Sequence, residues 1–283
     1  MPKTSYEIKD IYGNMFLCNH DPHSMVLQVG SKRMNMPCIR LQIFDIGNQY
    51  KVLVEDVFYN LKCAENDLKH GETGTKSMLI CALEMVKFLY ENVDIFELQD
   101  NSFLWDEESN ISLSDVYVLT HGYTWYESFL KLHPAVPVDA LSVHDLKHKL
   151  NAKMDMPYYE FMNKMFGCNM HDADQLQWIK DIWTSCFGTC AWFDFIKSIS
   201  DEFKDTNNKV FWTNYMTSIR RTINVASLKS ILWEGRLKDI PLRIDSLSRF
   251  TNYYPFTQSG GTPTKRHPFQ QFVDFSDPLW YDL

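Results

Sequence analysis

The hydrophobic period changes between residues 50 and 92, and this change limits the folds open to the chain. Tyr50–Tyr59 is rich in β-branched and aromatic residues, which is typical of a strand. From Thr75 to Asn92 apolar residues recur at the three- and four-residue spacing of an amphipathic helix. Asp94–Gln99 again has the composition of a strand. A strand, a helix and a second strand in this order favour a mixed α+β fold, in which helices pack on a sheet.

The flanking regions extend this pattern in both directions. Met25–Val29 and Ile39–Ile46 are predicted strands, and Gly47-Asn48 predicts a hairpin turn into Tyr50–Tyr59. Ile111–Thr120 is predicted as a further strand or a strand-to-helix segment. Five helices are predicted beyond Pro137, at Val143–Lys153, Tyr158–Phe166, Asp174–Ser185, Ala191–Phe203 and Lys209–Val225. We therefore predict an α+β domain over residues 1–137, a helical extension over 138–250 and an aromatic, acidic tail over 251–283.

Charge and cysteine usage exclude several classes of protein. A net charge of −8 argues against a general nucleic-acid-binding protein, which needs a clustered basic face. No run approaches the ~20 apolar residues that cross a bilayer, so we expect no membrane partner and a soluble protein. The seven cysteines are odd in number and irregularly spaced, which is not typical of a disulfide framework. A reducing compartment follows as the expected location.

The segment from Gly71 to Ser77 looks at first like a nucleotide-binding loop. That loop needs a Gly-Lys pair before the Ser or Thr, whereas Thr75 precedes Lys76 here. No apolar strand runs directly into the segment either, so an NTPase is rejected. A looser diphosphate site remains open, because main-chain nitrogens at the start of a helix attract anions.

A resemblance to a known family follows from the same region. A strand, the loop Lys69-His70-Gly71-Glu72-Thr73-Gly74, a long helix and a strand resemble the acyl-CoA half of the GNAT superfamily of N-acetyltransferases. Tyr117 followed by Gly122-Tyr123 is similar to the tyrosine and glycine turn of that family. The stretch from Leu113 to Glu127 also resembles GNAT-like proteins encoded by large eukaryotic DNA viruses.

The resemblance implies a fold, a cofactor and a set of site residues. The fold would be a GNAT-like mixed central sheet with flanking helices and a mostly helical C-terminal extension. The cofactor would be acetyl-CoA or another acyl-CoA, and the location would be the host cytoplasm or nucleus, or the virion. The diphosphate of CoA would bind at Lys69, Gly71, Gly74, Thr75 and Lys76.

Transfer of the acyl group to an amine needs a general base and a general acid. Candidates for the base are the strand carboxylates of Glu55, Asp56 and Glu97, and candidates for the acid are Tyr117 and Tyr126. The loop lacks the leading Arg of the family. A catalytically inactive GNAT-like scaffold that acts through protein–protein contacts, such as a viral structural or assembly component, therefore stays open as the alternative.

Two further features have alternative interpretations. The tail carries aromatic anchors in a segment too short to fold alone, so it needs a groove on this protein or on a protein partner. Its apolar residues are Phe269, Phe272, Phe275, Leu279, Trp280 and Tyr281. Cys168, His171, Cys186 and Cys190 are soft ligands in a short span, but their spacing and apolar surroundings favour a buried helix face over zinc. We therefore predict no metal site.

Overall fold

A computed structural model describes residues 2–31, 36–57, 75–99, 112–166, 177–206, 209–228 and 230–256. Within these residues the chain is a mixed α+β fold with one nine-stranded sheet and eight helices. The strands are β1 (Thr4–Asp10), β2 (Met15–Asp21), β3 (Val26–Ser31), β4 (Met36–Asp45), β5 (Tyr50–Val57), β6 (Val93–Gln99), β7 (His133–Pro134), β8 (Leu232–Arg236) and β9 (Ile244–Arg249). The helices are α1 (Thr75–Leu89), α2 (Leu113–His121), α3 (Trp125–Leu130), α4 (Pro137–Asn151), α5 (Tyr158–Phe166), α6 (Gln177–Cys186), α7 (Trp192–Thr206) and α8 (Lys209–Thr222).

The strand order is β7-β8-β6-β5-β4-β3-β2-β1-β9. β1 to β5 form an antiparallel meander, whereas β5 and β6 are parallel and are connected through α1. The predicted β4–β5 hairpin is confirmed. Gly47 has φ of 93° in its turn, a backbone conformation that glycine adopts without strain.

One face of the sheet is covered by helices. The alternate residues Leu41, Val54, Phe96 and Leu98 are buried on this helix-covered face, where α1 packs across β1, β3 and β4. Charged and polar side chains such as Arg40 alternate with them on the opposite face, because successive strand residues point to opposite sides.

The region after Pro137 is mostly helical, and α5 begins and ends at the predicted residues. Its core contains Phe161, Phe195, Ile199 and Met216. Residues 138–250, predicted as a mostly helical extension, also contain β8 and β9, which return to the sheet and which the sequence did not predict. β8 lies between β6 and β7, and β9 pairs with β1 at the far edge.

The interpretation of Ile111–Thr120 as a strand is also corrected, since α2 covers residues 113–121. Ser112 caps this helix through a capping box with Asp115, and Gly122 ends it in a left-handed conformation. In the described parts of the chain, no helix has the length and apolar character needed to cross a membrane.

Four of the five cysteines in the described residues are free thiols, whereas Cys38 is disulfide-bonded.

Candidate functional site

The candidate site lies at the carboxyl ends of the parallel strands β5 and β6, in the interior of the sheet. Their pairing runs from Tyr50–Val93 to Val54–Leu98. β5 continues to Val57, and its pairing with β4 shifts register next to Arg40 and Leu41. The strand neighbours of β5 run in opposite directions, and ligands of α/β sheets bind beyond the carboxyl ends of strands where connections diverge.

Two of the five predicted cofactor-binding residues lie in the described part of the chain. Lys69, Gly71 and Gly74 lie outside the described residues. Thr75 is the first residue of α1, and Lys76 is the second. The Lys76 Nζ lies 5.9 Å from the ring centroid of Trp125 in α3, so the start of α1 and the start of α3 are neighbours.

A buried carboxylate that the sequence did not reveal lies beside the first turn of α1. Asp10 is 1% exposed, and its Oδ2 accepts hydrogen bonds from Ser77 Oγ (2.6 Å) and Asn14 Nδ2 (2.8 Å). Its Oδ1 accepts from the main-chain nitrogens of Tyr12 (3.0 Å) and Asn14 (2.7 Å). The positive end of the helix dipole favours a carboxylate there, and the same charge weakens attraction for a second anion.

Two of the three candidate bases, Glu55 and Glu97, each have a cationic partner. Glu55 Oε2 lies 2.5 Å from Arg40 Nε, and Glu97 forms an ion pair with Lys51. Glu97 is opposite Leu53 in the parallel register and opposite Glu234 of β8. A substrate amine that approached either carboxylate would have to displace an existing ion pair. The third candidate, Asp56, is opposite Arg40 in the backbone register of β4 and β5.

The two candidate acids lie in helices and are buried. Tyr117 in α2 is 6% exposed and stacks on His121 at 4.8 Å between ring centroids. Tyr126 in α3 is 4% exposed and packs at 5.4 Å from Trp233.

Trp233 sets the position of Tyr126 relative to the sheet. Trp233 belongs to β8 and is opposite Leu98 of β6, so it shares the helix-covered face with Leu98. Tyr126 packs on Trp233 and therefore lies on this face, near the carboxyl end of β6. Glu97 lies on the opposite face, because it is adjacent to Leu98 in the strand. The structure therefore brings Lys76, Trp125, Tyr126 and Trp233 into one neighbourhood and places Glu55 and Glu97 on the other side of the sheet.

Of the four soft ligands considered for zinc, the structure describes only Cys186 and Cys190. Cys168 and His171 lie outside the described residues. In the described parts of the chain, no group of three or more His, Cys, Asp or Glu side chains is arranged to hold a metal ion.

No family model, curated protein or solved structure matches this chain significantly.

Proposed function

We propose that this chain is a GNAT-like protein that binds acyl-CoA. The observation that carries the proposal is the parallel β5–β6 pair within an otherwise antiparallel neighbourhood, connected by α1 and ending at Val54–Leu98. The order of strand, helix and parallel strand is the one that the resemblance of residues 50–99 implies.

The last residues of β5 can accept an extended ligand on the side that faces β6. In the described residues, no β6 residue pairs with β5 beyond Val54, although β5 continues through Glu55 to Val57. An extended arm that carries amide groups can hydrogen-bond to such a strand as an added strand would. The pantetheine arm of CoA has two amides, and its diphosphate would lie toward the loop before Thr75.

Binding is tested by titration calorimetry of the full chain with acetyl-CoA. We expect saturable binding, and we expect Gly71→Val combined with Gly74→Val to weaken it at least tenfold, because bulky residues obstruct close approach of a diphosphate to the main chain. The paired substitution Gly260→Val and Gly261→Val, in the tail, is the matched control and should leave the affinity unchanged. If the unaltered protein shows no heat of binding at millimolar acetyl-CoA, the proposal is wrong.

A second candidate is a GNAT-like scaffold without catalysis that acts through protein contacts, for example in a viral assembly. The observation that favours it is the engagement of the candidate catalytic groups, since Glu55 pairs with Arg40, Glu97 pairs with Lys51, and Tyr126 is buried. An assay of acyl transfer to small amines separates the two candidates. The measured quantity is the free CoA thiol that transfer releases. Binding without transfer supports the scaffold, whereas transfer that falls in Glu97→Gln and persists in Glu127→Gln supports the enzyme.

The partner of the scaffold would contact the apolar residues of the tail from Phe269 to Tyr281, which lie outside the described residues. Removal of residues 268–283 should then abolish co-purification of a protein partner and leave the circular dichroism of the remaining chain unchanged.

A further inference from the structure

Two cysteines meet at the turn that joins α6 to α7. Cys186 is the last residue of α6, and Cys190 follows after three residues. The main-chain nitrogen of Cys190 donates to the Cys186 oxygen over 2.9 Å, and that of Thr189 donates to the same oxygen over 3.0 Å. These bonds close a turn from Cys186 to Cys190, inside which Gly188 has a left-handed backbone conformation. The turn brings the main chains of the two cysteines together.

The two thiols interact with each other and with neighbouring hydroxyl groups. The pKa of Cys186 is raised by its burial and by a hydrogen bond with the thiol of Cys190. Hydroxyl groups flank the pair, with Ser185 Oγ at 3.9 Å from Cys186 Sγ and Thr189 Oγ1 at 3.6 Å from Cys190 Sγ. A disulfide needs Cβ atoms at roughly 3.5–4.5 Å and Cα atoms within about 6.8 Å. The main-chain hydrogen bond between Cys190 and Cys186 is compatible with such a Cα separation.

The turn is fixed to the rest of the protein on both sides. Gly188 donates its main-chain N–H to the Met154 oxygen over 2.8 Å, and the Met154 nitrogen donates to the Cys190 oxygen over 3.0 Å. The Trp192 nitrogen donates to the Ala152 oxygen over 3.0 Å. Gly188 has φ of 69°, which favours glycine at this position. These bonds keep the two thiols together in the folded chain.

The two thiols differ in access. Cys186 is 6% exposed, whereas Cys190 is partly exposed. An external reagent therefore meets Cys190 first, whereas Cys186 is sheltered from it. This arrangement of one accessible and one sheltered thiol is what a pair of attacking and resolving cysteines requires.

We propose that Cys186 and Cys190 form a reversible thiol–disulfide pair that exchanges with low-molecular-weight disulfides such as oxidised glutathione. The Cys190 thiolate attacks one sulfur of the small disulfide, forms a mixed disulfide and releases one small thiolate. The Cys186 thiolate then attacks the Cys190 sulfur, closes the Cys186–Cys190 bond and releases the second small thiolate. The two protons lost by the protein thiols end on the two released thiols, so one small disulfide is reduced for each pair oxidised.

The other cysteines in the described residues are unsuited to this reaction. Cys18 and Cys81 are fully buried, and their burial raises the pKa of each thiol far above the ordinary value. A small disulfide in solution cannot reach a thiol that has no exposure, so neither Cys18 nor Cys81 can make the first attack. Cys38 is already disulfide-bonded. Among the described cysteines, exchange should therefore select the pair at the α6–α7 turn.

Closure of the bond has a built-in optical reporter. Phe187 lies inside the turn and stacks on Trp183 at 4.6 Å between ring centroids, and Trp192 begins α7. A disulfide next to these indoles quenches their fluorescence, and reduction should restore it.

The test is equilibration of the folded full chain with glutathione mixtures, followed by acid quenching and peptide mapping. We expect a Cys186–Cys190 disulfide that forms with a drop in tryptophan fluorescence and is reversed by reduced glutathione. In Cys186→Ala the mixed disulfide should accumulate on Cys190 instead, and in Cys190→Ser the buried Cys186 should stay unmodified. Cys18→Ala is the control that leaves the pair intact and should behave like the unaltered chain.

Phenylarsine oxide gives an independent measurement, because its trivalent arsenic bridges two thiols only when they are adjacent. We expect one bridged adduct that maps to Cys186 and Cys190 and is lost in either single variant. The proposal is overturned if oxidised glutathione leaves both thiols free, or if the unaltered chain retains a stable mixed disulfide on Cys190. Circular dichroism of each variant before treatment distinguishes a misfolded chain from one that is unreactive.

Discussion

Replacement of Gly235 by valine is expected to lower the free energy of unfolding by about 3 kcal/mol, close to the upper end of the range measured for overpacked cores. Gly235 lies in β8 opposite Phe96. A Cβ added there would be 2.3 Å from Leu132 Cδ2 and 2.8 Å from Phe96 Cε1 and Cζ. Both neighbours are buried, with Leu132 at 2% and Phe96 at 0% exposed, so neither side chain can move into solvent.

Gly235→Ala makes the same first contact without the additional methyl groups, so we expect a smaller loss of about 1–2 kcal/mol. Urea denaturation followed by circular dichroism measures both values. Leu132→Ala removes the nearest atom, and the combination with Gly235→Ala should therefore cost less than the sum of the two single substitutions. Additive losses would show that the close approach to Leu132 is not the cause.

The parts of the fold that the sequence predicted are those with a strong local pattern. α5 was predicted at its observed bounds because apolar residues recur at helical spacing between Tyr158 and Phe166. The β4–β5 hairpin was predicted because alternating residues lead into a glycine turn at Gly47. In both elements the local preference and the tertiary environment agree.

Other elements needed information that is distant in sequence. β8 was missed because Leu232–Arg236 is short, and its insertion between β6 and β7 depends on partners more than 90 residues away. The helix α2 did have a local signal, since Ser112 and Asp115 form the pattern of a capping box, but the β-branched residues that follow favoured a strand.

The order of the strands and the helix that form the candidate site could be predicted from the sequence. The side-chain contacts within the site could not. The strand, helix and strand around residues 50–99 identified the β5–β6 pair, because each element has its own hydrophobic period. Asp10 gave no sign that it would reach Ser77, a residue 67 positions later in the chain. Likewise, the ion pairs of Glu55 and Glu97 depend on strand register, which decides whether two side chains share a face.

The carboxylate of Asp115 is expected to contribute more to stability than any other capping group in the described residues. Asp115 is 0% exposed. Its Oδ2 accepts hydrogen bonds from Ser227 Oγ (2.7 Å) and the Ser112 nitrogen (3.2 Å), and its Oδ1 accepts from the Leu228 nitrogen (2.8 Å). It therefore caps α2 and fixes the segment that leads into β8.

Asp115→Ala should lower the free energy of unfolding by about 3–4 kcal/mol, because three donors lose a charged acceptor in a place that water does not reach. The chain has a matched control, since Glu127 forms the same kind of capping box with Thr124 at the start of α3. Glu127 is partly exposed and also pairs with Lys147 at 2.7 Å, so water can replace its lost bonds. We expect Glu127→Ala to cost about 1 kcal/mol by the same urea denaturation. Equal losses in the two variants would mean that local capping alone, and not the buried link to Ser227 and Leu228, accounts for the role of Asp115.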